Sequence, residues 1–161
     1  MKVVVNTGPL VFLSKINRLP ILKKFSRQIL APKRVITEIM FKRDDISEAV
    51  NNATNDWLKI MSVKDKNLLN VLTKELDGGE AEVICLALEQ KADWVILDDQ
   101  DARRFAHRYG LNVIGTLGLL AWAKKKGHIK SFLDEIEKLQ TSGFYATVEL
   151  VEQLAKETGE R

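Results

Sequence analysis

Short runs in which every residue is apolar, VVV at Val3 to Val5 and WVIL at Trp94 to Leu97, constrain this chain most. A strand without period-two alternation has no solvent face, and strands covered on both sides belong to parallel sheets. Candidate strands fall at Lys2 to Val5, Gln28 to Leu30, Trp57 to Val63, Trp94 to Leu97 and Asn112 to Ile114, with helical stretches between them. That alternation predicts an α/β fold, a three-layer α/β/α sandwich around a central parallel sheet. Pro9 and Pro32 are placed for helix first turns, and Gly110 and Gly127 for helix ends. The polar stretch from Asp44 to Asp56 reads as a surface helix or helical hairpin. From Ile129 onward the pattern is helical, broken at TSGFYA by a short strand or turn.

The chain has 161 residues, which suits one domain burying roughly 70% of its unfolded surface. No apolar stretch approaches the ~18 residues of a membrane span, so no membrane partner is expected. MKVVVN enters a strand too soon for a signal peptide, and Cys85 is the single cysteine. Both features lead to the expectation of a reducing, cytoplasmic location. A net charge of +3 permits nucleic acid as a partner without arguing for it.

Strands of a parallel sheet end at a common edge, and ligands bind in the crevice beyond it. Asn6 ends the first strand, and Asp98 and Asp99 follow WVIL. Helix capping is the plain alternative for Asp98, Asp99 and Asp101, although three acids in four residues exceed what a cap needs. In LDGGEAEVICLALEQ, at about 100° per residue, Glu80 shares a face with Val83, Ile84 and Ala87, whereas Glu82 and Glu89 fall on the polar side. Glu80 therefore points at the core, where an unpaired carboxylate is costly; a partly exposed carboxylate at a helix mouth is the alternative. Glu38 lies about 130° off the apolar stripe of its helix, and Lys42 at i+4 suggests a surface ion pair.

Taken in order, VVVNTGPLVFLSKI, APKRVITEI, LDGGEAEVICLALE, WVILDDQDARRFAHRYGLNVIGTLGLLAWAKKKG and KLQTSGFYAT give the chain its resemblance to PIN-domain proteins. Within that family the chain resembles the prokaryotic PIN-like branch near VapC-type toxins. The resemblance spans nearly the whole chain and implies a single PIN-like domain over residues 1–161, with the helical segment from about 129 packed on it. It also implies a Mg²⁺- or Mn²⁺-dependent endoribonuclease acting on single-stranded RNA, with a protein antitoxin as partner and a homodimer as the assembly. The family's acidic positions fall on Asn6, Glu38, Glu80 and the Asp98 and Asp99 pair. Glu80, Asp99 and Asp98 are then the expected metal ligands, with Glu38 orienting water or holding a second ion. Asn6 stands where nucleases of this fold usually carry aspartate. Its carbonyl oxygen can still coordinate Mg²⁺, with one negative charge fewer. That departure keeps a second reading open, a catalytically weak or inactive PIN-like module that binds nucleic acid or protein.

Thr7 is expected to donate a hydrogen bond to the site and Asp101 to act as an outer ligand. Arg103 and Arg104 could hold a substrate phosphate, with pairing inside the helix end as the plainer alternative. The GTLGLL turn containing Thr116 could turn its N–H groups to a phosphate, and tight packing explains it equally well. Cys85 reads as a small core residue, and His107 and His128 lack partners for a general-base or zinc role. Lys124 to Lys126 are explained by a helix C-terminus.

Overall fold

The computed structural model describes residues 1–161. The elements run β1 (Lys2–Val5), α1 (Thr7–Lys15), α2 (Ile21–Phe25), β2 (Gln28–Pro32), α3 (Lys33–Phe41), α4 (Asp45–Thr54), β3 (Leu58–Met61) and α5 (Lys66–Leu72). They continue with α6 (Gly78–Gln90), β4 (Trp94–Ile96), α7 (Gln100–Arg108), β5 (Val113–Ile114), α8 (Thr116–Lys125), α9 (Phe132–Thr141) and α10 (Val148–Glu157). The five strands form one all-parallel sheet in the order β3-β2-β1-β4-β5. Val3 pairs with Ile29 on one side and Trp94 on the other, and Val4 with Leu30 and Val95. Val3, Val4 and Val5 are wholly buried, as their unbroken apolar run requires.

The chain builds outward from β1 to β3, returns across β1, and builds outward again through β4 and β5. Right-handed crossovers then put α1 to α4, which precede that reversal, on the sheet face opposite α6, while α8, after the last strand, packs on α1. α1, α3 and α4 pack on one another, α6 lies against β1, β2 and β4, and α8 holds α9 and α10. The reversal creates a switch point between β1 and β4, where the crevice beyond the strand ends is open to a ligand. α1, α3, α7 and α8 all begin within a few residues of a strand end, so four positive helix ends converge on that edge.

The differences from the sequence reading have local causes. β3 is four residues long instead of seven, because it is a sheet edge whose Lys59 and Ile60 face solvent. Val63 is buried without belonging to it. Pro32 is the last residue of β2 and the N-cap of α3, one position before the first turn it was expected to occupy. The stretch from Asp44 to Asp56 is a single helix, α4, fixed by a capping box between Asp44 and Ser47 and buried along Ser47, Val50 and Ala53. TSGFYA is a turn, with Gly143 at φ +102. Cys85 is fully buried, and desolvation pushes its thiol up to about 11, which fits a core residue and not a nucleophile. No helix is long and apolar enough to cross a membrane.

Candidate active site

β1 carries Asn6 to the switch point, where its backbone N–H bonds the Ile96 carbonyl at 3.1 Å and continues the β1–β4 pairing by one residue. Asn6 is the N-cap of α1, yet its side chain makes no capping hydrogen bond, so the amide is not engaged by the helix that follows. Thr7, the next residue, donates from Oγ1 to Glu38 Oε2 at 3.2 Å and thereby ties α1 to α3. Glu38 Oε1 accepts from Arg34 Nε at 3.4 Å. The expected pair between Glu38 and Lys42 does not form: Arg34, one turn earlier, takes that place.

The first turn of α6 meets this group. Asp77 caps α6, its Oδ1 accepting from the Glu80 N–H at 2.8 Å. A Cβ at Gly79 would lie 3.4 Å from both Glu38 carboxylate oxygens and 3.5 Å from Asp77 Oδ1, so the missing side chain lets two acids approach the helix mouth. A Cβ at Gly78 would strike the Arg34 guanidinium at 2.2 Å, so glycine here lets that cation lie across the same turn. Glu80 is half-buried, not fully turned into the core. Its carboxyl is raised to about 7, first by desolvation, then by the charges of Asp77 and Asp99. Asp77, Glu80 and Asp99 therefore share one electrostatic space, with Glu38 at its border.

Asp98 and Asp99 divide their work. Asp99 caps α7, accepting from the Ala102 N–H at Oδ2 (2.9 Å), which leaves its other oxygen free. Asp98 crosses to α8: Oδ1 accepts the Thr116 N–H at 2.7 Å and Oδ2 the Thr116 hydroxyl at 2.6 Å. Desolvation pushes the Asp98 carboxyl up, while the Thr116 hydrogen bonds and the Arg103 charge pull it down. Thr116 is fully buried with both donors engaged, so it faces no substrate, and the expectation of a phosphate contact there is corrected. A Cβ at Gly115 would lie 2.9 Å from Asp98 Oδ1 and 3.2 Å from an Arg103 Nη, so tight packing accounts for that glycine. Arg103 thus sits beside Asp98, whereas Arg104 pairs with Asp101 on the exposed side of α7.

The cleft beside these aspartates has a volume of about 550 Å³ and is closed by the turn between α9 and α10, where Phe144 meets Phe12 edge-on at 5.0 Å. His107 and His128 are exposed, and His128 lies against Trp122 at 5.3 Å.

A family profile described as a PIN domain matches residues 2–160. The chain belongs to the PIN-domain family. In this PIN domain the matched segment runs from β1 through the end of α10, so every element bordering the crevice falls within it. No curated protein matches the chain.

The donor set of this PIN domain, carboxylates and an unengaged amide carbonyl, has the hard-oxygen chemistry that Mg²⁺ and Mn²⁺ prefer. Desolvation first, and then crowding by Asp77 and Asp99, raises Glu80, and a cation would relieve both costs. The side chains do not form a finished cage: no group of three His, Cys, Asp or Glu residues is gathered at ion-holding distance. Sequence reasoning missed Asp77 and Arg34. The D-x-x-E pattern of Asp77 to Glu80, a helix N-cap signature, was the signal available for Asp77. Arg34 had none, because its position depends on α3 and α6 meeting in space.

Proposed function

We propose that this PIN domain is a Mg²⁺- or Mn²⁺-dependent endoribonuclease acting on single-stranded RNA, and that it serves as the toxin of a toxin–antitoxin pair. The observation that carries the reading is the convergence of the half-buried Glu80, Asp77, Asp99 and the unengaged Asn6 amide at the switch point of a parallel sheet. Glu80, the free oxygen of Asp99 and the Asn6 carbonyl would hold the ion. When bound, a divalent ion stabilises charge on the phosphoryl group and makes water a better nucleophile.

The rest of the work belongs to the protein. Thr7 fixes Glu38 Oε2, so that Glu38 orients a water at the border of the site. Asp98, with both oxygens on Thr116, is a positioning residue that anchors the start of α8 beside Asp99. Arg34 on one flank and Arg103 on the other supply donors for the phosphates on either side of the scissile bond. Glu80, protonated below about pH 7 in the ion-free protein, must lose its proton for the ion to bind, so affinity for the ion rises through neutral pH.

A second reading, a module that binds nucleic acid without cutting it, is favoured by Asn6 and by the lack of a preformed three-acid cluster. Incubating labelled single-stranded RNA with the protein and Mn²⁺ separates the two. The nuclease reading expects cleavage that disappears in Glu80→Gln and Asp99→Asn. Binding with no metal-dependent cutting selects the module. In the same assay Asn6→Asp should raise activity, because it restores a negative charge to the site.

A further inference from the structure

The outer face of α3 carries an anomaly. Val35, Ile36 and Ile39 fill the core, while Lys33, Thr37 and Phe41 recur at every fourth residue on the solvent side. Phe41 ends that row with 87% of its surface exposed. An isolated apolar side chain on a surface is ordinary, but this ring borders two adjoining clefts. One, of about 710 Å³, lies between α3 and the junction of β3 with α5, and its walls include Lys33, Arg34 and Lys66. The other, of about 570 Å³, adds Arg43 and the exposed Ile60 of β3. Lys33, Thr37 and Phe41 line both, so Phe41 stands as a ridge between them. Four cations face this pair of clefts, against the acids Glu38 and Glu82. Glu38 is also the border residue of the acidic crevice, so the larger cleft opens onto it.

We infer that these clefts form a track for single-stranded nucleic acid leading to the acidic crevice, with Phe41 as a wedge on which bases stack and Lys33, Arg43 and Lys66 as contacts for the phosphates. This rests on the nuclease reading of the neighbouring acids and adds the strand's path to it. The chemistry favours a nucleic acid over a protein. Aromatic rings set among cations are how unpaired strands are held without regard to sequence. Although Ile36, Met40, Phe41 and Ile60 line the smaller cleft, Lys33 and Arg43 interrupt them and Lys33, Arg34 and Lys66 wall the larger one, a charge density that an apolar protein-docking face would not carry.

Fluorescence anisotropy of a labelled oligouridylate, titrated with the full chain in EDTA, reads binding without cleavage. The wild type should bind with an affinity that falls steeply with salt. Phe41→Ala should weaken binding roughly tenfold, with Phe41→Trp restoring it. Lys33→Ala with Lys66→Ala should flatten the log–log salt slope by about 0.7 per lysine. Phe41 is outside the core, so circular dichroism should show Phe41→Ala folded as the wild type is. Glu80→Gln should bind as the wild type does in EDTA while failing to cut in Mn²⁺, which keeps failure of the track distinct from failure of the nuclease. The track is overturned if the wild type shows no salt-sensitive binding, or if Phe41→Ala and the double lysine variant bind unchanged. It is equally overturned if Phe41→Ala dissolves a dimer and leaves RNA affinity intact, since the face would then be a self-interface.

Discussion

Glu80 is where one side chain has the largest consequence. Its carboxyl lies near 7 in the folded protein against 4.5 for the free group, so the folded state binds more protons than the unfolded state between those values. Stability tied to that proton is fully present below about 4.5 and is lost as pH rises through 7. Glu80→Gln removes the dependence. In EDTA, its melting temperature relative to wild type should therefore rise from pH 5 to pH 8, and parallel profiles would contradict the account. Asp98 makes a different prediction. Replacing it with alanine strips the acceptor from two buried donors of Thr116 and should cost about 2–3 kcal/mol in urea denaturation. Asp99→Asn, at an exposed position, should barely move that midpoint. Equal losses at the two positions would refute the division of labour between neighbouring aspartates.

At the scale of elements, helix starts organise the site, and they were unevenly legible. The strand ends that deliver Asn6 and the Asp98 and Asp99 pair could be read directly, because unbroken apolar runs specify buried parallel strands and the next polar residue must lie at their edge. Which aspartate caps α7 could not be read, since both precede the helix and their directions depend on β5 and α8 arriving alongside. Helical arithmetic turned Glu80 toward the sheet, and the structure stops it halfway, at the open first turn of α6. Glu89, on the polar side, meets a partner the helix could not announce: its Oε1 accepts from the N–H groups of Lys64 at 2.7 Å and Asp65 at 2.6 Å. A turn entering from elsewhere in the chain is invisible to a periodicity. The α6 start also supports a prediction: Asp77→Ala should cost about 1 kcal/mol through the lost cap and bring the Glu80 carboxyl back toward its ordinary value. Carbon-13 NMR of the Glu80 carboxylate through a pH titration would follow that return, and an unmoved midpoint would mean that desolvation and the Asp99 charge hold Glu80 up without Asp77.

Across the whole molecule, the crevice depends on parts distant in sequence, and the last residues help to hold them. Glu160 reaches back to the start of α9, accepting from the N–H groups of Phe132 at 2.5 Å and Leu133 at 3.1 Å and from the Ser131 hydroxyl at 3.0 Å. Against some desolvation, those bonds and the Lys124 charge hold its carboxyl below the usual range. Its contribution is present above the ordinary glutamate pKa and fades as the solution is acidified below it. Glu160→Gln should lower stability by about 1–2 kcal/mol at neutral pH, and a thermal melt that fails to separate it from wild type would remove this latch from the account.

The direct test of the acidic crevice is Mn²⁺ binding to the ion-free protein, followed by electron paramagnetic resonance at pH 6 and pH 8. Saturable binding that tightens with pH and is abolished by both Glu80→Gln and Asp99→Asn is expected. Binding that ignores pH and survives both substitutions, or no binding at all, would contradict it.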